Sequence, residues 1–200
     1  MNSLTIDILK QHHIGSLDHM THIDNLASIL KYGLLAHSNP YKKRDISNTA
    51  VNDRRNKKES IYNRNVHDYV PFYFNPRNAM MYRNKNEDIV VLAFSQKLIF
   101  ENNTIFTNKN ASADSVNFFN STQQLNKLEW NYVWSDSWNN KVNRTEVMQA
   151  MMSEVLVYSH VSINNLIGVY AKNETMKRHL IQSYNLPANK IKINANMFFA

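Results

Sequence analysis

Cysteine is absent from the 200-residue sequence, so it offers neither a disulfide nor a thiolate zinc site. Glycine is scarce. Gly15, Gly33 and Gly168 are the three glycines and stand far apart, which excludes both a GxGxxG dinucleotide fingerprint and a phosphate-binding P-loop. No Gly-x-Ser-x-Gly elbow and no His-Glu-x-x-His motif occurs. His19 and His22 are three apart with no obvious third ligand, so no metal site is expected. No run of eighteen apolar residues is present, which argues against a membrane span. Met1 to Lys10 lacks a secretory apolar core, and no Pro/Ser-rich linker or internal repeat divides the chain. These absences lead us to expect a cytoplasmic protein with one domain over residues 1–200.

What is present is basic and globular. Apolar residues make up 43% and aromatics 11%, enough for a core, and the formal charge of +7 favours a polyanionic partner. The charge is concentrated. Lys42, Lys43, Arg44, Arg54, Arg55, Lys57, Lys58 and Arg64 lie between two apolar blocks, opposed locally by Asp45, Asp53 and Glu59. Such a run is either a solvated loop or a mobile set of phosphate contacts.

Periodicity gives the elements. After a polar leader, Leu17 to Met20 reads as a strand, and Ile23, Leu26, Ile29 and Leu30 as a helix closed by Gly33 in the left-handed conformation. Residues 36–66 read as a long loop with some helix. Tyr69 to Phe74 is a strand whose Pro71 suggests an edge or a strand start, and Asn75-Pro76 reads as the cap of a helix through Tyr82. Asp88–Ser95, Thr104–Thr107, Glu154–Tyr158, Ile167–Ala171 and Lys190–Ile193 are further strands. Val147 to Met152 and Met176 to Tyr184 are helices, the second capped by Asn173. Irregular connections favour α+β over a doubly wound sheet.

Four polar segments border these strands. His19 and Thr21, two apart, point to the same side of a strand and are placed to hydrogen-bond a ribose or carboxamide; a capped helix start explains the same residues. Arg54 and Arg55 suit a pyrophosphate, or are simply solvated. The aromatic run through Tyr73, beside Arg77, is either core or a stacking face. Glu154 heads an apolar strand where a sheet meets a cleft, although strand-end glutamates are usually just solvated.

In this order, three blocks resemble the DarT family of toxin ADP-ribosyltransferases. They are Asp18 to Leu30 (DHMTHIDNLASIL), His67 to Tyr82 (HDYVPFYFNPRNAMMY) and Ser153 to Val157 (SEVLV). The resemblance covers roughly residues 17–171, and it implies an ADP-ribosyltransferase fold, with a split pair of small sheets, surrounding helices and long substrate loops. It implies NAD in the cleft as substrate, with no metal. Glu154 would be the catalytic glutamate. An arginine of the Arg54-Arg55 pair, with Arg55 favoured, would hold the phosphates and polarise the reacting end. His19, Thr21, Asn25 and Tyr73 would contact NAD. Single-stranded DNA would meet Arg77, Trp130, Trp134 and Arg144, with Trp138 a further stacking candidate. The resemblance also implies a macrodomain antitoxin like DarG as partner. The family often carries basic residues just before its glutamate, where this chain has Ala150-Met151-Met152, with Arg144 the nearest substitute. RNA as target, protein as target, and a catalytically silent nucleic-acid-binding module are the alternatives.

Overall fold

A strand that is apolar at every position is one buried on both faces, and Ile89–Phe94 (IVVLAF) is such a strand: every residue of it is buried. The computed structural model describes residues 3–37, 40–47, 49–139 and 141–199. The leader begins with residues 1 and 2, and the basic loop passes through 38, 39 and 48, all outside the described residues.

In chain order the elements are α1 (Ser3–Gln11), β1 (Leu17–His22), α2 (Leu26–Tyr32), β2 (Leu34–Leu35), α3 (Thr49–Arg55), β3 (Tyr69–Tyr73), α4 (Ala79–Arg83), β4 (Ile89–Phe94), β5 (Ile105–Thr107) and β6 (Phe118–Phe119). There follow α5 (Trp130–Val133), α6 (Arg144–Ala150), β7 (Glu154–Tyr158), β8 (His160–Val161), β9 (Leu166–Ala171), α7 (Glu174–Tyr184) and β10 (Ile191–Ile193). Eight strands run in the order β10-β9-β4-β1-β3-β7-β5-β6, and β2 pairs with β8 apart from them. All neighbours are antiparallel except β10 and β9. Strands and helices do not alternate regularly, in keeping with α+β.

The split lies between β1 and β3. These strands share one pair, Asp18 with Tyr73. By contrast β1 matches β4 at six positions, and β3 matches β7 at five. Pro71 is therefore not at an edge or a strand start, as its residue type suggested, but third of five in an interior strand. The carbonyl and N–H positions of one strand residue face the same edge. Pro71 O points to β1, where it meets His19 Nδ1 at 2.8 Å, so the missing N–H also falls on the seam.

Local chemistry corrects three other expectations. The leader is helical: α1 buries Leu9, and Ile14 beyond it is also buried. The cap of α4 is Asn78, not Asn75, because Asn78 Oδ1 accepts from the N–H groups of Met80 and Met81. Asn75 turns the chain instead, accepting from Arg77 N and donating to Val133 O and Ser135 O. Gly33 has φ +77 but ψ −173, outside the left-handed helical region; a Cβ there would lie 2.5 Å from Val161 O. The Asn173 cap of α7 is as expected, accepting from Met176 N at 2.9 Å. Among the described residues no helix is long and apolar enough to cross a membrane.

Candidate active site

The seam opens into a cavity of about 340 Å³, within the usual range for small-molecule sites. His19 and Thr21 of β1, Tyr73 of β3, Met80 of α4 and Arg55 of α3 line it. Glu154 lies directly behind Arg55. Its side chain is fully buried, and Arg55 Nη1 donates to both carboxylate oxygens, at 3.0 and 2.8 Å. A third donor, Ala111 N, reaches Oε1 at 2.9 Å. Burying a carboxylate is tolerated only with such partners.

Several elements fix that geometry. Glu154 is the first residue of β7, in register with Tyr73 across β3. Its N–H donates to Thr107 Oγ1 at 3.0 Å, and Thr107 in turn donates to Lys109 O. Arg55 ends α3, so the helix inside the basic loop is what delivers the guanidinium to the carboxylate. Arg54, its neighbour, is exposed and lies off the cavity wall. The geometry thus distinguishes two arginines that the sequence pattern left equivalent.

On the opposite wall, His19 Nδ1 meets a group that only accepts, the Pro71 carbonyl, so Nδ1 carries the proton. Burial pushes the His19 pKa down, partly offset by that hydrogen bond, and the neutral ring keeps a lone pair on Nε2. Thr21 Oγ1 accepts from Asn25 Nδ2 at 3.1 Å. Asn25 has little left for a ligand. Its amide also donates to Arg44 O and its carbonyl accepts from Lys43 N and Arg44 N, so it pins the basic loop. Tyr73 donates its hydroxyl to Met80 Sδ at 3.2 Å, and burial raises its pKa.

Of the residues expected to meet DNA, Arg77, Trp130 and Trp134 have partners within the protein. Arg77 donates to Asp136 O, Asn196 O and Phe198 O, and its guanidinium sits 4.1 Å from the Phe199 ring centroid. Trp130 and Trp134 stack on each other, and Trp130 also stacks on His12; their indole N–H groups donate to Leu125 O and His12 O. Trp138 is buried against Val147 and Met151. Trp138 is core, whereas Trp130 and Trp134 are half-buried and pack against the core. Arg144 is exposed at the start of α6. Sequence reasoning missed Thr107, Met80 and the Ala111 backbone donor. Nothing in residue type marks Ala111, because its contribution is a main-chain N–H.

A sheet parted at one seam, holding a buried glutamate–arginine pair and a neutral histidine beside a cavity, is the architecture of an ADP-ribosyltransferase. The family model described as "ssDNA thymidine ADP-ribosyltransferase, DarT" matches residues 19–199. The chain belongs to this DarT family. A DNA ADP-ribosyl transferase of Thermus sp. (strain 2.9) is 34% identical over 155 residues, 70% of this chain and 73% of that protein. The structure of Thermus sp. 2.9 DarT with ADP-ribosylated single-stranded DNA superposes with a TM-score of 0.82 at 25% identity, covering 94% and 97% of the two chains. The same Thermus protein with NAD+ gives 0.78 at 25% identity, over 93% and 98%. A Thermosipho africanus protein that fuses a DNA ADP-ribosyl transferase to a DNA ADP-ribosyl glycohydrolase is 23% identical over 90% of this chain, which spans 52% of the fusion.

Proposed function

We propose that this chain, acting as one domain, transfers ADP-ribose from NAD to thymidine in single-stranded DNA, with Glu154 and Arg55 at the reaction centre. The observation that carries the reading is the buried Glu154–Arg55 pair bordering a cavity large enough for the reacting half of a dinucleotide. Both the family and its Thermus member, solved with NAD+ and with modified DNA, support substrate and target.

The chemistry follows from the charges. The bond between ribose C1′ and nicotinamide nitrogen breaks, its electron pair leaves with nicotinamide, and positive charge develops on the ribose. A carboxylate facing that charge lowers the barrier. Thymidine has one ring N–H. Its nitrogen forms the new bond to C1′, and Glu154 accepts the released proton. Arg55 holds the carboxylate in place and adds positive charge near the phosphates. The neutral His19 offers Nε2 as an acceptor to a ribose hydroxyl, with Thr21 beside it. Exposed Arg144 supplies a phosphate contact for the strand. A base must be unstacked to reach such a cavity, which favours a single strand.

In this reading the protein is a cytoplasmic toxin countered by a macrodomain glycohydrolase like DarG, the pairing that the Thermosipho fusion carries in one polypeptide. Mass spectrometry of mixed DNA and RNA oligonucleotides after incubation with NAD tests it. An ADP-ribose mass on thymidine-containing DNA is expected. Label appearing on protein, on RNA alone, or nowhere would overturn the assignment.

A further inference from the structure

Glu154 is held by donors from two segments far apart in sequence, Arg55 at the end of α3 and Ala111 in the turns between β5 and β6. Both donors meet at Oε1, so a shift in either one turns the carboxylate. Residues 108–117 form neither helix nor strand. Bonds within the stretch set its shape, with Ala113 N donating to Asn110 O and Ser112 N to Asn110 Oδ1. They do not set its place relative to Arg55.

Lys57 does. Two residues beyond Arg55, its ammonium donates to Ala113 O at 2.9 Å. Its own carbonyl accepts from Val66 N at 2.9 Å, and Val66 packs with Ala111, Ile105 and Leu156 in one buried cluster. One residue thus holds the Ala111 turn twice, by a direct bond at Ala113 and through the side chain on which Ala111 packs. Lys57 is half-buried, and burial lowers its pKa against the pull of Asp114. A half-buried ammonium bonded to a carbonyl is a strut with little freedom to follow a phosphate. The basic run between residues 42 and 64 read as solvated or as phosphate contacts; at Lys57 the geometry gives a third use.

We propose that Lys57 is a positioning residue for the reaction: by tying the Ala111 turn to the segment that carries Arg55, it sets the orientation of the Glu154 carboxylate. The assignment rests on the reading of Glu154 as the carboxylate at the reaction centre. A misaligned carboxylate costs rate and leaves substrate affinity in place.

Transfer assays and amide hydrogen exchange on the wild type, Lys57→Met and Lys57→Arg test it. Methionine keeps the aliphatic stem and removes the donor. In Lys57→Met, kcat is expected to fall about 10–100-fold, with KM for NAD and for the oligonucleotide within about twofold of wild type. The Ala111 amide is expected to exchange about tenfold faster or more, while the Val155 and Leu156 amides of β7 exchange as before. Lys57→Arg, which restores a charged donor, recovers most of the lost rate. A kcat unaltered by Lys57→Met overturns the proposal. So does a rise confined to KM for the oligonucleotide, which would make Lys57 a DNA contact, or equal acceleration of all three amides, which would make it a general prop. If the wild type modifies no oligonucleotide yet Lys57→Met frees the Ala111 amide alone, the transfer reaction is wrong and the positioning role stands.

Discussion

Arg55 and Arg77 are both arginines set among aromatic rings near β3, and the molecule uses them in opposite ways. Arg55 directs Nη1 to both oxygens of one acidic side chain, at the wall of a cavity. Arg77 is saturated by three backbone carbonyls and a ring, and ties the turn before α4 to residues 136 and 196–199. The aromatic rings differ likewise. Tyr73 lines the cavity, whereas Phe199 packs against the Arg77 guanidinium, and Trp130 and Trp134 direct their N–H groups to the carbonyls of Leu125 and His12. Residue type does not separate a working arginine from a structural one. The kind of partner does, and whether open space adjoins it.

That contrast breaks if the two sides respond alike to substitution. The largest effect belongs to Glu154→Gln, which keeps an acceptor for Ala111 N but removes the charge. ADP-ribose transfer to an oligonucleotide is expected to drop ~10²–10⁴-fold. Activity within threefold of wild type would remove Glu154 from the chemistry.

Asp18, at the single pair that bridges the seam, comes next. Burial raises its pKa from 3.8 to about 7, with the Ser16 hydroxyl pulling the other way. The folded state therefore keeps a proton that the unfolded chain releases. This stability is fully present below pH 4 and is lost as pH rises through 7. Asp18→Asn is expected to gain up to about 4 kcal/mol at pH 8 relative to wild type, and almost nothing at pH 4. Denaturant melts at the two pH values measure this, and a gain equal at both would contradict it.

Arg77→Ala is expected to cost about 2 kcal/mol of stability through three lost hydrogen bonds and one ring contact, with NAD affinity retained where the variant is folded. Trp134→Phe is the mildest. Losing the bond to His12 O is expected to cost about 1 kcal/mol and to leave KM for the oligonucleotide within twofold. A tenfold rise in that KM would return Trp134 to the DNA surface.

The strands were legible because periodicity reports burial directly: the runs at Ile89–Phe94, Glu154–Tyr158 and Leu166–Ala171 lie within a residue or two of their expected bounds. The first helix was not. Its short polar sequence buries Leu9, and the partners of that helix region are as remote as Asn126 and Trp134. Glu154 was visible as a charge heading an apolar strand, but its partner is 99 residues away in sequence, and only the fold brings Arg55 rather than Arg54 to it. The family resemblance implied that Asn25 contacts NAD. It lines the cavity, and its amide group also ties down the basic loop, a role its sequence position did not show. Pro71 misled in a different manner, since proline in a strand usually marks the rim of a sheet, and here the rim lies inside it.

The cleft is consequently written into covalent structure. At residue 71 the main chain has no hydrogen to offer the neighbouring strand, so no change of solvent, temperature or side-chain packing can knit the two halves of the sheet together at that point. One five-membered ring thus withholds a ladder bond at the seam permanently.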